Sequence, residues 1–188
     1  MSTTEQQAVL PVGTWHIDPS HSTIGFSVKH MMIATVRGRF DRFEGAVEVA
    51  EDGEIHATGV IEATSIDTGE QKRDEHLRSP DFFDAATYPE ITFQSTSVEP
   101  VGGRRLRIVG DLTIHGATRE VVLEGEVLGS GADPYGNERL ALELNGEISR
   151  KDYGMTWNQA LETGGVLVGD RIKIALDLST VLAAQQAA

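Results

Sequence analysis

Along most of this chain apolar residues alternate with polar ones, the period-two pattern of strands that bury one face. Ile24, Phe26 and Val28 form the first clear set, offset by Thr23, Gly25, Ser27 and Lys29. Between Val36 and Val49 the parity changes: Val36, Gly38 and Phe40 occupy even positions, Phe43, Gly45, Val47 and Val49 odd ones. That flip requires a bend or bulge near Asp41-Arg42, because a strand shifted by one residue turns every side chain to the other face. A turn at Glu51-Asp52-Gly53 leads to Ile55, Ala57, Gly59, Ile61 and Ala63 as the next inward set. Ile91 and Phe93 open another strand, and Leu106, Ile108, Gly110, Leu112 and Ile114 follow with clean alternation. Further sets run Val121 to Val127, Leu140 to Ile148 and Ile172 to Leu178. With the short extended piece at 13–18, the pattern predicts about eight principal strands joined mostly by short turns, so sequence neighbours pair antiparallel.

Two stretches break the alternation. Residues 64–93 read as a lid containing a short helix at about 68–85, with Asp67-Thr68 as its cap and Pro80 and Pro89 as its bounds. Leu77, Phe82 and Phe83 give the lid an apolar side. Lys72, Arg73, Asp74, Glu75, His76 and Arg78 form a solvated charged rim. The segment RKDYGMTWNQALETGGVLVGD reads as a loop with one helical turn.

A sheet this long with one wetted face removes its exposed edges by closing on itself. Glycines recur near mid-strand at Gly38, Gly45, Gly59, Gly110, Gly125 and Gly146, and aromatics are only 6% of the chain, which predicts an incompletely filled lumen. Glycines that only permit bends are the competing explanation. The expected architecture is an all-β, elongated, eight-stranded antiparallel barrel with one helical insertion. It forms a single domain over 13–181, with flexible termini at 1–12 and 182–188.

A tall lumen lined by aliphatic residues suits a linear apolar ligand. Inward parity places its tail along Phe26, Val28, Phe40, Gly59, Ile61, Phe93, Ile108, Gly110, Leu112, Leu142 and Ile174, with Phe82 and Phe83 closing one end. An anionic head needs charge-assisted donors near the mouth, and Arg37, Arg39, His76 and Arg78 are the candidates.

Composition narrows the alternatives. The chain has no cysteine, which removes disulfides, zinc-thiolate sites and cysteine nucleophiles together. A net charge of −13 makes nucleic acid or an anionic membrane a poor bulk partner, leaving only local basic clusters to argue otherwise. No basic, apolar leader opens the sequence and no stretch reaches bilayer-spanning length, so a soluble cytoplasmic protein without stable membrane insertion is expected. Elbow, phosphate-loop, dinucleotide and paired-histidine metal motifs are missing, so no cofactor or metal is expected. Asp18-Pro19-Ser20-His21-Ser22 reads as a turn rather than a serine–histidine pair. An enzyme at the barrel mouth would draw its acid or base from His21, Asp74 or His76. An interaction module would use Val60, Val98, Val109 and Val122, valines on otherwise polar faces.

The spaced motifs WHIDPSHSTIGFSVKH, VRGRF, SIDTG with RDEHLRSPDFFD, YPEITF, GDLTIHGATREV, SRKDYGM and GDRIKIALDLS run in order from about Thr14 to Thr180. In them the chain strongly resembles the YceI-like family of bacterial lipocalin-like, polyisoprenoid-binding proteins. The resemblance implies a lipocalin-like barrel binding amphiphiles such as polyprenyl phosphates or quinone-like lipids, and a homodimer; non-catalytic storage or transport of such a lipid is the expected function. Many relatives carry an export signal and work in the periplasm, whereas this chain begins without one.

Overall fold

Three of the eight staves of the barrel are broken strands, and each break falls where the sequence changes character. The computed structural model describes residues 10–184. β1 (Gly13–Ile17) and β2 (Thr23–His30) are one stave kinked by a 3₁₀ turn at Pro19–His21. β3 (Ala34–Phe40) and β4 (Phe43–Val49) are a second, broken at Asp41-Arg42, where the inward parity flips. β5 (Ile55–Glu62) and β6 (Ile66–Asp67) are the third, interrupted at Ala63–Ser65. After the helix α1 (Gln71–Arg78) come β7 (Glu90–Pro100), β8 (Arg105–Ile114), β9 (Ala117–Ala132), β10 (Glu138–Ser149) and β11 (Val168–Leu182).

Each stave pairs antiparallel with its neighbours in sequence, and β1 pairs with β11 to close the barrel. The expected all-antiparallel eight-stranded barrel with one short helix is the observed fold. The β8–β9 connection is a two-residue hairpin in which His115 and Gly116 have φ of 53° and 74°, as the twist of a tight hairpin demands. A register shift between Ser95 and Ser97 turns Val98 inward opposite Ile108. Val98 therefore packs on the core rather than on an outer face, a correction to its parity. Val60, Val109 and Val122 are half-buried, and Val109 and Val122 are direct cross-strand neighbours.

The interior has two apolar layers. At one end Trp15, 2% exposed, packs with Leu10, Leu106, Leu140 and Leu178, and its indole Nε1 donates to Pro11 O at 2.9 Å. Leu10 is buried in this plug and Leu182 pairs with Trp15, so these two belong to the barrel instead of to flexible termini, and Ala183 N–H donates to Thr14 O at 2.8 Å. Residues 1–9 and 185–188 of the expected flexible tails lie outside the described residues. At the other end Phe40, Ile66, Ile91, Ile114, Tyr153 and Met155 form the second layer, beneath α1.

An ion cluster staples the first layer from outside. Arg139 Nη1 donates to Asp18 Oδ2 at 2.9 Å and Arg139 Nε to Asp133 Oδ2 at 2.8 Å. Hydrogen bonds from Ser20, Arg139 and His21 hold the Asp18 carboxyl well below the usual carboxylate range, and those from Arg139 and Asn137 do the same for Asp133. Groups whose folded pKa is depressed contribute stability above their unfolded value, near ~4, and lose it as the pH falls through the folded one. Arg139→Gln is therefore expected to lower the Tm at neutral pH. Its difference from wild type should narrow progressively below about pH 4, checked by thermal melts across that window.

Candidate functional site

The barrel encloses a cavity of about 230 Å³ that runs from Leu178 and its neighbours in the Trp15 layer to the lid. Every residue assigned to the tail from inward parity lines it except Gly110: Phe26, Val28, Phe40, Gly59, Ile61, Phe93, Ile108, Leu112, Leu142 and Ile174 do. Phe82 and Phe83, with Leu77 and Met155, close the lid end. Phe40 bridges wall and lid, meeting Phe26 at 5.7 Å between ring centroids and Phe83 edge-on at 5.8 Å. At about 30 Å³ per water the cavity has room for roughly eight water-sized groups, and walls this apolar favour an apolar occupant over water.

The strand glycines do not create this space collectively. A Cβ on Gly110 would stand 2.5 Å from the Phe93 ring and 2.6 Å from Gln94 O, so the Phe93 ring of β7 already covers that position. Phe26 covers Gly38 in the same way, and Ile17 crowds Gly45. Gly59 differs. Its nearest neighbour would be Glu44 O at 3.8 Å, and the space before it is lumen. Gly110 is thus a close-approach glycine, a correction to its assignment as a tail contact.

The lid is built more firmly than a solvated helix. Glu70, not Asp67-Thr68, caps α1, its carboxylate accepting from the backbone N–H groups of Lys72 and Arg73 at 3.2 and 2.6 Å. Asp74, expected in the solvated rim, is 7% exposed and accepts from both the N–H and the hydroxyl of Thr68. A buried carboxylate needs such donors, which explains why the helix carries it inward. Arg78 donates to Thr64 O at 2.9 Å and Ile66 O at 3.0 Å, tying α1 to β6. His76 Nε2 lies 2.9 Å from Asp81 Oδ2, while its ring stands edge-on to Trp157 and Phe82.

The four head-group candidates do not converge. Arg37 and Arg39 alternate with the inward Gly38 and Phe40 and so project from the outer face of β3, Arg39 held by Asp41 and Asp67. Arg78 and His76 are engaged as described, and none of the four lines the cavity. The cation that does line it is Arg150, 2% exposed. Its Nε donates to Gly169 O, Nη1 to Met155 O and Trp157 O, and Nη2 to Val168 O, at 2.8–3.2 Å, with Asp170 Oδ1 3.4 Å from Nη2. Burial pulls its pKa below the ordinary arginine value, and Asp170 pushes back. Arg150 gives the lid end a buried charge, but its donors are committed to the backbone of the following loop and of the start of β11.

The acid–base candidates do not meet in this lumen. None of His21, Asp74 and His76 lines it. At the β1–β2 kink, Ser20 Oγ is 3.1 Å and Asp18 Oδ2 2.8 Å from His21, but both meet the same nitrogen, Nδ1. A relay needs the base to reach nucleophile and carboxylate through different ring nitrogens, so this is a capped turn. A second, polar hollow outside the wall, between Arg119, Glu147, Asp170 and Arg171, reaches Tyr153, whose phenol burial pushes up to about 12.

The comparisons with known proteins agree with this geometry. The model of the YceI-like domain matches residues 15–180. A UPF0312 protein of Staphylococcus aureus is 40% identical over 159 residues, spanning 83% of this chain and 90% of the relative. Among solved structures, Burkholderia cenocepacia BcnA aligns with a TM-score of 0.75 at 25% identity, over 87% of this chain and 98% of that one. A Campylobacter jejuni YceI protein gives 0.71 at 28% identity, over 83% and 90%. A polyisoprenoid binding domain from Saccharophagus degradans shares the fold, with a TM-score of 0.64 at 16% identity over 92% and 100%. Since the matched domain takes in every stave of the barrel, its lid and its lumen, this chain belongs to the YceI-like family.

Proposed function

We propose that the barrel is a non-catalytic carrier that holds the long apolar chain of an amphiphilic lipid in its lumen. The observation that carries this reading is the wall itself, continuous aliphatic and aromatic surface from Leu178 to the Phe82–Phe83 lid. Burying about eight methylenes is worth on the order of 6 kcal/mol, enough to exceed association costs that start near ~4 kcal/mol. Short chains fall below that margin. Affinity should therefore climb with chain length and level off at about 8–10 carbons, the capacity of the cavity, beyond which added carbons stay outside the lid. A series of prenyl alcohols of increasing length, titrated by displacement of a fluorescent fatty acid, checks this; affinity independent of length would contradict it.

Between the two head-group chemistries, the lumen favours an uncharged, quinone-like head over a phosphate. Arg150 has its donors committed to carbonyls and its charge faces Asp170, so a phosphate taken inside would be desolvated without new donors. The polyisoprenoid binding of the Saccharophagus degradans domain supports the lipid class by analogy of fold. Mass spectrometry of solvent extracts from purified protein tests the whole reading. Neither native lipid nor in vitro loading with a prenyl quinone would sink it.

A further inference from the structure

The turn joining β2 to β3 is unusual for its position. Met31 and Met32 occupy the two central, left-handed places of a tight turn within the three-residue loop 31–33, with φ of 52° and 64°, closed by Ile33 N–H donating to His30 O at 3.2 Å. Asn-Gly is the favoured pair at such a turn, because side chains of other kinds are disfavoured there. This chain instead exposes Met31 at 44%, Met32 at 61% and Ile33 at 79%. Among the described residues the other exposed large apolar side chains, such as Val12, Leu128 and Tyr135, stand singly, whereas this tip is a consecutive run. Its stave leads straight into the cavity, since Val28 on β2, its β11 partner Ile172, and Val168, the β11 partner of His30, line the lumen.

Charge around the tip has a direction. On the outer face of β3, β2 and β11, Arg37 stands across from Ser27 and Ser27 from Lys173, with Lys29 one step nearer the tip. Among the described residues, Arg37, Lys173 and Lys29 have no carboxylate within ion-pairing distance; Lys29 instead donates to Thr35. The nearby acids are already engaged, Glu147 by Arg171 at 3.1 Å and Asp170 by Lys151 at 3.1 Å, leaving Glu162 in the adjoining loop. Farther from the tip the sign reverses, with Glu143 opposite Asp177 and Glu126 beyond. In a chain of net charge −13, three cations without an ion-pair partner thus lie on the strands that lead to the exposed apolar tip.

We infer that the Met31–Met32–Ile33 tip docks the protein on an anionic lipid bilayer, the apolar side chains entering the interface while Lys29, Arg37 and Lys173 face lipid phosphates. Local charge then outweighs the bulk repulsion expected from composition, because cations within a Debye length of the surface act before the distant acids. Docking sets the lid end of the barrel at the bilayer; that lipid enters or leaves there rests on the carrier reading above.

Flotation of the full chain with phosphatidylcholine vesicles, with and without phosphatidylglycerol, tests the docking. Wild type is expected to float with the anionic vesicles and to be released by salt. Met31→Asn/Met32→Gly installs the preferred turn pair, so it should melt no lower than wild type while vesicle affinity falls by about tenfold or more. Arg37→Ala/Lys173→Ala should remove the preference for phosphatidylglycerol and flatten the salt dependence. Docking is overturned if wild type stays with neither vesicle, if the Asn-Gly variant floats equally well, or if light scattering shows a dimer that this variant dissolves, the tip then being covered by a second copy. Loading from detergent-dispersed prenyl quinone separates the two readings. Docking with failed loading removes the carrier reading alone, and normal loading without docking removes this one alone.

Discussion

Gly59→Leu is expected to cut binding of a long apolar chain by about a hundredfold while leaving the barrel folded. Its four added carbons fill lumen that the ligand's own methylenes would occupy, at roughly 0.8 kcal/mol each, or about 3 kcal/mol in sum. The site can receive them, because nothing lies nearer than Glu44 O at 3.8 Å and the backbone is not in the left-handed region. Stability in urea should therefore move by less than about 1 kcal/mol, below the ~1–3 kcal/mol typical of overpacking. Gly59→Ala, which adds only the Cβ, separates any backbone effect from the volume effect. Gly110→Leu should behave in the opposite way. There the new side chain meets the Phe93 ring and the Gln94 carbonyl, and the carbonyl cannot yield without breaking the β7–β8 ladder, so unfolding is the expected failure. If Gly59→Leu unfolds, the lumen is a packed core; if it folds and binds unchanged, the chain lies elsewhere.

The contrast between these two glycines shows what parity could and could not convey. Alternation sorted inward from outward residues on every stave, which was enough to place Phe26, Phe93, Leu142 and Ile174 on the cavity wall. It could not distinguish a glycine before open space from one beneath a neighbour's ring, since that depends on the rotamer of a residue on the next strand. A single extra residue at the β7 bulge was equally invisible, and it moved Val98 to the inside. In the lid the charged residues read as a solvated rim because a one-dimensional pattern cannot show that Thr68 folds back to meet Asp74. Arg150 did leave a signal. It continues the inward parity of Leu140, Leu142, Leu144, Gly146 and Ile148, and a cation at an inward position demands partners. Those partners are carbonyls from a loop without periodicity, at Met155 and Trp157, and from the start of β11, at Val168 and Gly169, so their convergence on one guanidinium appears only in three dimensions.

Replacing Arg150 is expected to produce the largest loss of stability of any single change at the lid end. Arg150→Leu preserves much of the apolar stem that lines the cavity and removes only the planar fork. Four carbonyls, those of Met155, Trp157, Val168 and Gly169, then lose a charge-assisted donor, and Asp170 loses its buried counter-charge. Deleting one partner of a buried charged network costs ~3–5 kcal/mol, a large share of the ~5–15 kcal/mol that holds a domain together. Arg150→Lys should recover little, because an ammonium is a point donor that cannot span carbonyls fixed to the geometry of a guanidinium. Asp170→Asn should cost less than either, since it leaves every one of these carbonyl bonds in place. The lid should feel the loss as well. Trp157, freed from Arg150, no longer backs Phe82 and His76, against which it packs at 5.4 and 4.6 Å, so bound lipid should leave faster. Hydrogen exchange distinguishes this clasp from a purely electrostatic role: amides of residues 155–169 should lose protection in Arg150→Lys although the charge is kept. Unchanged protection there, with an unchanged urea midpoint, would mean that the loop is held by something other than Arg150.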